Sequence, residues 1–172
     1  PADAPVMRFL APVDVQVIKA CGVTFADSML ERVIEERAKG DAAGAARVRA
    51  EIAGVLGDNL EGLKPGSDAA MALKAVLQAQ GWWSPYLEVG IGPDAEVFTK
   101  APVLGAVGPG AMVGIRSDSS WNNPEPEVVL AVNAHGTLVG VSLGNDVNLR
   151  DIEGRSALLL GKAKDNNASC AI

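Results

Sequence analysis

Three carboxylates carry the strongest chemical signal in this sequence. Glu125 and Glu127 stand two apart at the head of the apolar run 128–132. In a strand, residues two apart share a face, so both carboxylates project together. The run leads into Asn133-Ala134-His135-Gly136, which reads as a hairpin loop, and the returning run 138–143 ends at Gly144-Asn145-Asp146. Simple pairing of the two strands brings Asp146 back beside the glutamates. Like charges this close must be offset by a cation, an arginine or a proton. Three hard oxygen ligands with few other groups suit Mg2+ or Mn2+, water and substrate completing the octahedron. A bare ExE pair is more often a solvated acidic edge, and the returning aspartate is what distinguishes this one.

Other chemistries find less material. The one histidine, His135, falls in the hairpin loop, and the cysteines Cys21 and Cys170 lie at opposite ends of the chain. A Cys/His zinc site lacks ligands, and a Ser or Cys nucleophile would have to draw on His135. Two distant cysteines make no disulfide framework, which points to a reducing, cytoplasmic setting. Gly90-Ile91-Gly92-Pro93-Asp94-Ala95 fits the loose GxGxxA dinucleotide pattern. The residues after it favour a strand and offer no helix N-terminus to a pyrophosphate.

Composition narrows the class. There are 21 acidic and 15 basic residues, a formal charge of −6, which argues against a nucleic-acid or anionic-membrane binder. Apolar residues make up 48% and aromatic ones only 4%, so the sequence can form a core and that core must be mainly aliphatic. No apolar run reaches the roughly 20 residues of a membrane span. The chain starts at Pro1 and stops in the run Ala168-Ser169-Cys170-Ala171-Ile172. Both ends read as cut, the expectation being a piece of a longer protein.

The elements that must position the carboxylates change character along the chain. Residues 1–24 read as a loop and a short strand, from the alternation of Val13, Val15 and Val17. Residues 25–81 read as helical: Asp27 as a cap before Leu30, Val33 and Ile34; Asp41 before Val48, Ile52, Val55 and Leu56; Ser67 before Met71, Leu73, Val76 and Leu77. Gly40, Gly57 and Gly81 close the three runs. From residue 82 onward the pattern turns to short β-type runs at 86–89, 97–99, 112–115, 128–132, 138–143 and 158–160. Helices followed by strands predict an α+β fold, and 1–172 is read as part of one catalytic domain.

With these elements placed, the residues reach a family resemblance. Glu125-x-Glu127, Asn145-Asp146-x-x-x-Arg150-Asp151 and Leu160-Gly161-Lys162 resemble the signature of the fumarylacetoacetate hydrolase family, and Phe25-Ala26-Asp27-Ser28-Met29-Leu30-Glu31 is similar to its lid segment. Trp121 to Glu127, Gly144 to Asp151 and Leu160 to Asn167 look most like the branch of 2-keto-3-deoxy-pentonate dehydratases. The resemblance implies a helical lid followed by a β-roll core, truncated here on its C-terminal side. It implies a Mg2+ (or Mn2+) site on Glu125, Glu127 and Asp146, with Lys162 as the active-site lysine. Arg150 falls near the substrate and Glu31 matches a lid glutamate. Self-association as a dimer or tetramer is expected on the same ground.

Where acylpyruvase relatives carry a lid histidine, this chain has Ser28. That histidine helps activate a water, so its loss favours a dehydratase over a hydrolase. The reading is therefore dehydration of a 2-keto-3-deoxy-pentonate to 2-oxoglutarate semialdehyde. Lys162 is the base at C3, Glu31 the acid toward the C4 hydroxyl, Arg150 a carboxylate clamp. Ser28, Lys100 and Asn148 are the further substrate-side candidates. The competing readings are a metal-dependent acylpyruvate hydrolase or oxaloacetate decarboxylase, and a non-catalytic oligomeric ligand-binding protein with a structural acidic cluster.

Overall fold

A computed structural model describes residues 7–22, 26–38, 41–56 and 63–172, with the side chains of 26–28 and 55–56 outside the described part. The chain divides into two compact units, Cys21–Val97 and a second made of Pro1–Ala20 with Phe98–Ile172.

The first unit is helical, as predicted. It holds α1 (Ala26–Ala38), α2 (Ala42–Leu56), α3 (Asp68–Ala79) and α4 (Pro85–Ile91). Asp41 receives the N–H groups of Ala43 (3.1 Å) and Gly44 (3.0 Å), and Ser67 Oγ that of Ala70 (3.3 Å), so each cap satisfies part of the free donors in the first turn of its helix. Gly81, at φ +70°, ends α3 in the left-handed region that a side chain resists. Asp27, expected as the cap of α1, lies inside the helix, and Gly40 and Gly57 lie outside the described residues. Met29, Val33 and Ile34 of α1 form one buried cluster with Val48, Ile52, Ala70, Leu77, Leu87 and Ile91.

The run 86–89, expected as a strand, is helical. Ser84 accepts the Leu87 N–H (3.4 Å) and Pro85 takes the first helical position, where its missing N–H costs nothing. The end of α4 contains Gly90 and is followed by β2, so the GxGxxA stretch opens no helix.

The second unit is mainly β. Strands β1 (Ile18–Cys21) and β2 (Val97–Ala101) pair, β3 (Asn122–Asn123) pairs with β6 (Asn148–Leu149), and β4 (Pro126–Val132), β5 (Leu138–Asp146) and β7 (Cys170–Ala171) form a three-stranded sheet in the order β4-β5-β7. The alternation at Val13, Val15 and Val17 precedes the strand instead of forming it. Residues 112–115 take no regular structure, and 158–160 fold as a 3-10 turn (Ala157–Leu159) running into α6 (Leu160–Lys164). Helix α5 (Arg150–Glu153) follows β6 directly.

The β4–β5 hairpin has the expected loop, with Gly136 at φ +77°. Its register pairs Val128 with Leu143, Leu130 with Val141 and, after an irregularity at Ala131/Val132, Val132 with Leu138. These six aliphatic side chains are all more than half exposed. Glu127, opposite Gly144, projects from the other face. Among the described residues, no helix is long and apolar enough to cross a membrane.

The helical unit rests on its aliphatic cluster. Leu77→Ala, at a side chain 2% exposed, is expected to destabilise that unit by about 2–5 kcal/mol, read by urea unfolding followed by far-UV circular dichroism.

Candidate metal centre

Strand register assembles the acidic group. Pro126 pairs with Asn145 and Glu127 with Gly144, and the Asp146 N–H donates to the Glu125 carbonyl at 2.9 Å. Glu125, Glu127 and Asp146 therefore share one face of the hairpin's base, and a carboxylate oxygen from each lies within 4.8 Å of the others. Gly144 is required at this place: a side chain there would strike Val129 Cγ2 (2.7 Å) and the Ala171 carbonyl oxygen (3.1 Å).

Each acid has a different environment. Asp146 is 5% exposed and lies between two ammonium groups: Lys164 Nζ 3.0 Å from Oδ2 and Lys100 Nζ 2.8 Å from Oδ1. No donor is aligned on Oδ1, so the Lys100 contact is a close ion pair rather than a directed hydrogen bond. Glu125 Oε2 binds Lys164 Nζ, while Oε1 accepts from Arg150 Nη2 (3.1 Å) and Asn148 Nδ2 (3.2 Å). Glu127 makes neither a hydrogen bond nor an ion pair with the described residues. Burial, then the charges of Asp146 and Glu125, hold its carboxyl above the usual range.

The lysines come from separate elements. Lys100, on β2, is 1% exposed, and its ammonium also donates to the carbonyls of Val147 (2.8 Å) and Lys164. Burial pushes its pKa down, only partly opposed by Asp146. Lys164 ends α6. Burial alone would lower it too, but Asp146 and Glu125 outweigh that and hold it above the ordinary lysine value. Ser169 Oγ donates to the Lys164 carbonyl (2.8 Å), and Asn166 Nδ2 to that of Lys162 (3.0 Å), so the last turn of α6 is fixed where Lys164 must leave it.

The structure brings together Glu125, Glu127 and Asp146, with Lys100, Asn148 and Arg150 around them, but several expected placements are corrected. Lys162 is not in the cluster. It is exposed and its ammonium lies 3.7 Å from Asp118, whose carboxyl Arg116 chiefly, with help from Lys162, holds at about 2. Lys164, two residues on, is the lysine of this helix that lies among the acids, because a step of two residues on a helix turns the side chain to the opposite side. Arg150 is no free clamp: its guanidinium bridges Glu125 and Glu153 (2.9 Å). Asn148, expected on the substrate side, is fully buried against Glu125 and Glu153, and Lys100 is turned inward onto Asp146. Glu31, in the helical unit, is gripped by Arg49 Nη2, which lies 2.8 Å from each carboxylate oxygen. The Ser28 side chain lies outside the described residues. Sequence reasoning passed over Lys164, which the same short helix carries two residues after Lys162 and therefore on its opposite side.

The donor set fits a hard divalent cation. Among the described residues it offers three clustered carboxylates, one buried oxygen with no donor aligned on it and one glutamate with no partner, and no soft sulfur or imidazole ligand belongs to the group.

No family model matches the chain. It is similar to curated 2-keto-3-deoxy-pentonate dehydratases. It is 41% identical over 87 residues to a protein of Haloferax volcanii named "Probable 2-keto-3-deoxyxylonate dehydratase", covering 51% of this chain and 30% of that one. It is 37% identical over 76 residues to 2-dehydro-3-deoxy-D-arabinonate dehydratase of Saccharolobus solfataricus, covering 44% and 26%. Among solved structures, a hexagonal crystal form of 2-keto-3-deoxyarabinonate dehydratase matches at a TM-score of 0.50 with 34% identity, over 51% of this chain and 31% of that chain. A structure titled as 2-keto-3-deoxy-D-arabinonate dehydratase with magnesium and 2,5-dioxopentanoate matches at 0.49 over the same shares. The chain thus spans less than a third of the length of these relatives. The branch read from the sequence motifs is the one to which the two curated relatives belong.

Two substitutions test the geometry. Glu127→Gln is expected to weaken Mn2+ binding by more than about tenfold, measured by electron paramagnetic resonance titration. It should also raise the melting temperature in EDTA at neutral pH. The reason is the sign of the shift: an acid whose folded pKa is raised costs stability once pH climbs through that pKa, and the amide removes the cost. Lys100→Met leaves buried Asp146 without one of its two cations and is expected to cost about 3–5 kcal/mol in denaturant unfolding.

Proposed function

We propose that this chain carries the metal-binding part of a Mg2+-dependent hydro-lyase that converts a 2-keto-3-deoxy-pentonate to 2-oxoglutarate semialdehyde. The observation that carries the reading is the convergence of Glu125, Glu127 and Asp146 on one ammonium-lined face. The two curated dehydratases supply the substrate class.

Glu125, Glu127 and Asp146 would hold the cation. When bound, it supplies a Lewis acid that draws electron density from a 2-keto acid and so acidifies its C3 hydrogen. The rest of the reaction falls to the chain's own groups. We assign the C3 proton to Lys164, whose Nζ reaches two of the three acids from a fixed turn; being held as the ammonium, it must release a proton to solvent before it can accept that one. Lys100 holds Asp146 from its other side and fixes the orientation of that carboxylate. Arg150 and Asn148 serve Glu125 instead of the substrate. Glu31, in the helical unit, is the proposed acid toward the C4 hydroxyl; to serve, it must leave Arg49 and take up a proton. The substrate is a small-molecule 2-keto sugar acid. We further propose that the protein self-associates and works in the cytoplasm.

The test is disappearance of 2-keto-3-deoxy-pentonate with and without Mg2+, with an acylpyruvate run alongside. Mg2+-dependent formation of the semialdehyde is expected, and acylpyruvate cleavage without dehydration would overturn the reading. Lys164→Ala should lower kcat by about 10²–10⁴-fold, the usual worth of a proton-transferring group, while Lys162→Ala should stay within about threefold of the parent.

A further inference from the structure

Glu125 is heavily braced, and two of its partners, Asn148 and Arg150, share a carboxylate outside the centre. Glu153, at the end of α5, accepts from Asn148 Nδ2 at 2.7 Å and from Arg150 Nη1 at 2.9 Å, both on the same oxygen, Oε2. Each donor group has its second contact on Glu125 Oε1: Asn148 Nδ2 at 3.2 Å and Arg150 Nη2 at 3.1 Å. Asn148 is fully buried and Arg150 is 6% exposed, so these contacts form away from bulk water. One carboxylate oxygen of Glu153 thus fixes two side chains, and the two fix one oxygen of Glu125.

The arrangement divides the labour of the Glu125 carboxylate. With Oε1 committed to the amide and the guanidinium, the group can neither rotate about its last bond nor chelate with both oxygens. Oε2 is left on the side of Asp146, where Lys164 now touches both acids. Glu153 acts on Arg150 in the same way: by accepting from Nη1 at 2.9 Å it turns the guanidinium so that Nη2 meets Glu125 Oε1 at 3.1 Å. Outer groups that orient metal ligands in this way affect affinity by about 10–100-fold when removed.

We infer that Glu153 is a positioning residue for metal binding, acting through Asn148 and Arg150 to present one oxygen of Glu125 to the cation. The inference rests on the metal site of the proposed function. Loss of the Glu153 carboxylate would free Asn148 and let Arg150 pair fully with Glu125, turning the oxygen away. The effect resides in hydrogen-bond geometry rather than in the negative charge near the site. A glutamine can accept the same two hydrogen bonds through its amide oxygen and so preserves the brace.

Mn2+ affinity of the full chain, titrated by electron paramagnetic resonance, tests this without reference to turnover. Glu153→Ala is expected to raise Kd by about 10–100-fold with an unchanged circular dichroism spectrum, and Glu153→Gln to stay within about threefold of the parent. Asn148→Ala removes the link while keeping every charge, and stands in should Glu153→Ala not fold; it is expected to raise Kd by about tenfold. An alanine variant that binds Mn2+ like the parent overturns the inference. So does a glutamine variant as weak as the alanine one, which would make Glu153 a matter of charge alone. A parent chain that binds no Mn2+ overturns the metal site itself, a separate result.

Discussion

Two ammonium groups buried among carboxylates set the terms for everything around them. Lys164 and Lys100 flank Asp146, and Lys164 also holds Glu125. Removing such charges from water is expensive unless partners surround them, so the backbone must supply those partners at fixed places. It does so through the carbonyls of Val147 and Lys164, the Ser169 hydroxyl and the short helices on either side. Counting Glu153, four carboxylates face the three cations Lys100, Lys164 and Arg150, which leaves one negative charge on the group. That remainder falls to Glu127, the acid without a partner among the described residues, and it suits a divalent ion.

The rest of the β unit can be understood as support for this arrangement. The hairpin brings three acids to one base through a period of two. Asp151 accepts from Ser119 Oγ (2.8 Å) and from the Ser120 N–H (2.8 Å), and so ties the segment that leads into Glu125 to helix α5. The β3–β6 pairing, Asn122 with Leu149 and Asn123 with Asn148, brings the same two segments together a second time. Fixing the approach to a charged cluster at two points limits the backbone freedom that repulsion between the acids would otherwise exploit.

Much of this was legible in the sequence, for identifiable reasons. Hairpin geometry is local: an apolar run, a Gly-containing loop and a return of matching length determine which residues meet, so the trio could be read from spacing. The caps of α2 and α3 were legible because Asp41 and Ser67 precede clear apolar stripes. Tyr86 to Val89 misled because β-prone side chains outweighed the Ser84-Pro85 start signal in a run too short to show a period. Lys162 and Lys164 differ only in which side of a five-residue helix they leave, a matter decided by tertiary packing. The brace from Glu153 depends on rotamers of three polar side chains, and no one-dimensional pattern encodes those.

The hairpin has a consequence for how the protein behaves in bulk. Val128, Leu130, Val132, Leu138, Val141 and Leu143 make an aliphatic strip on the face away from the acids, on a sheet whose outer strand, β4, has no neighbour on its far side among the described residues. Such a strip gains attraction as salts that avoid apolar surface are added, and loses it on cooling. Open edges also recruit further strands. The acidic side of the same two strands repels its own kind, whereas the aliphatic side does not. Colloidal behaviour should therefore be two-faced: dispersal governed by charge at low ionic strength, and sheet-on-sheet adhesion in warm, concentrated sulfate.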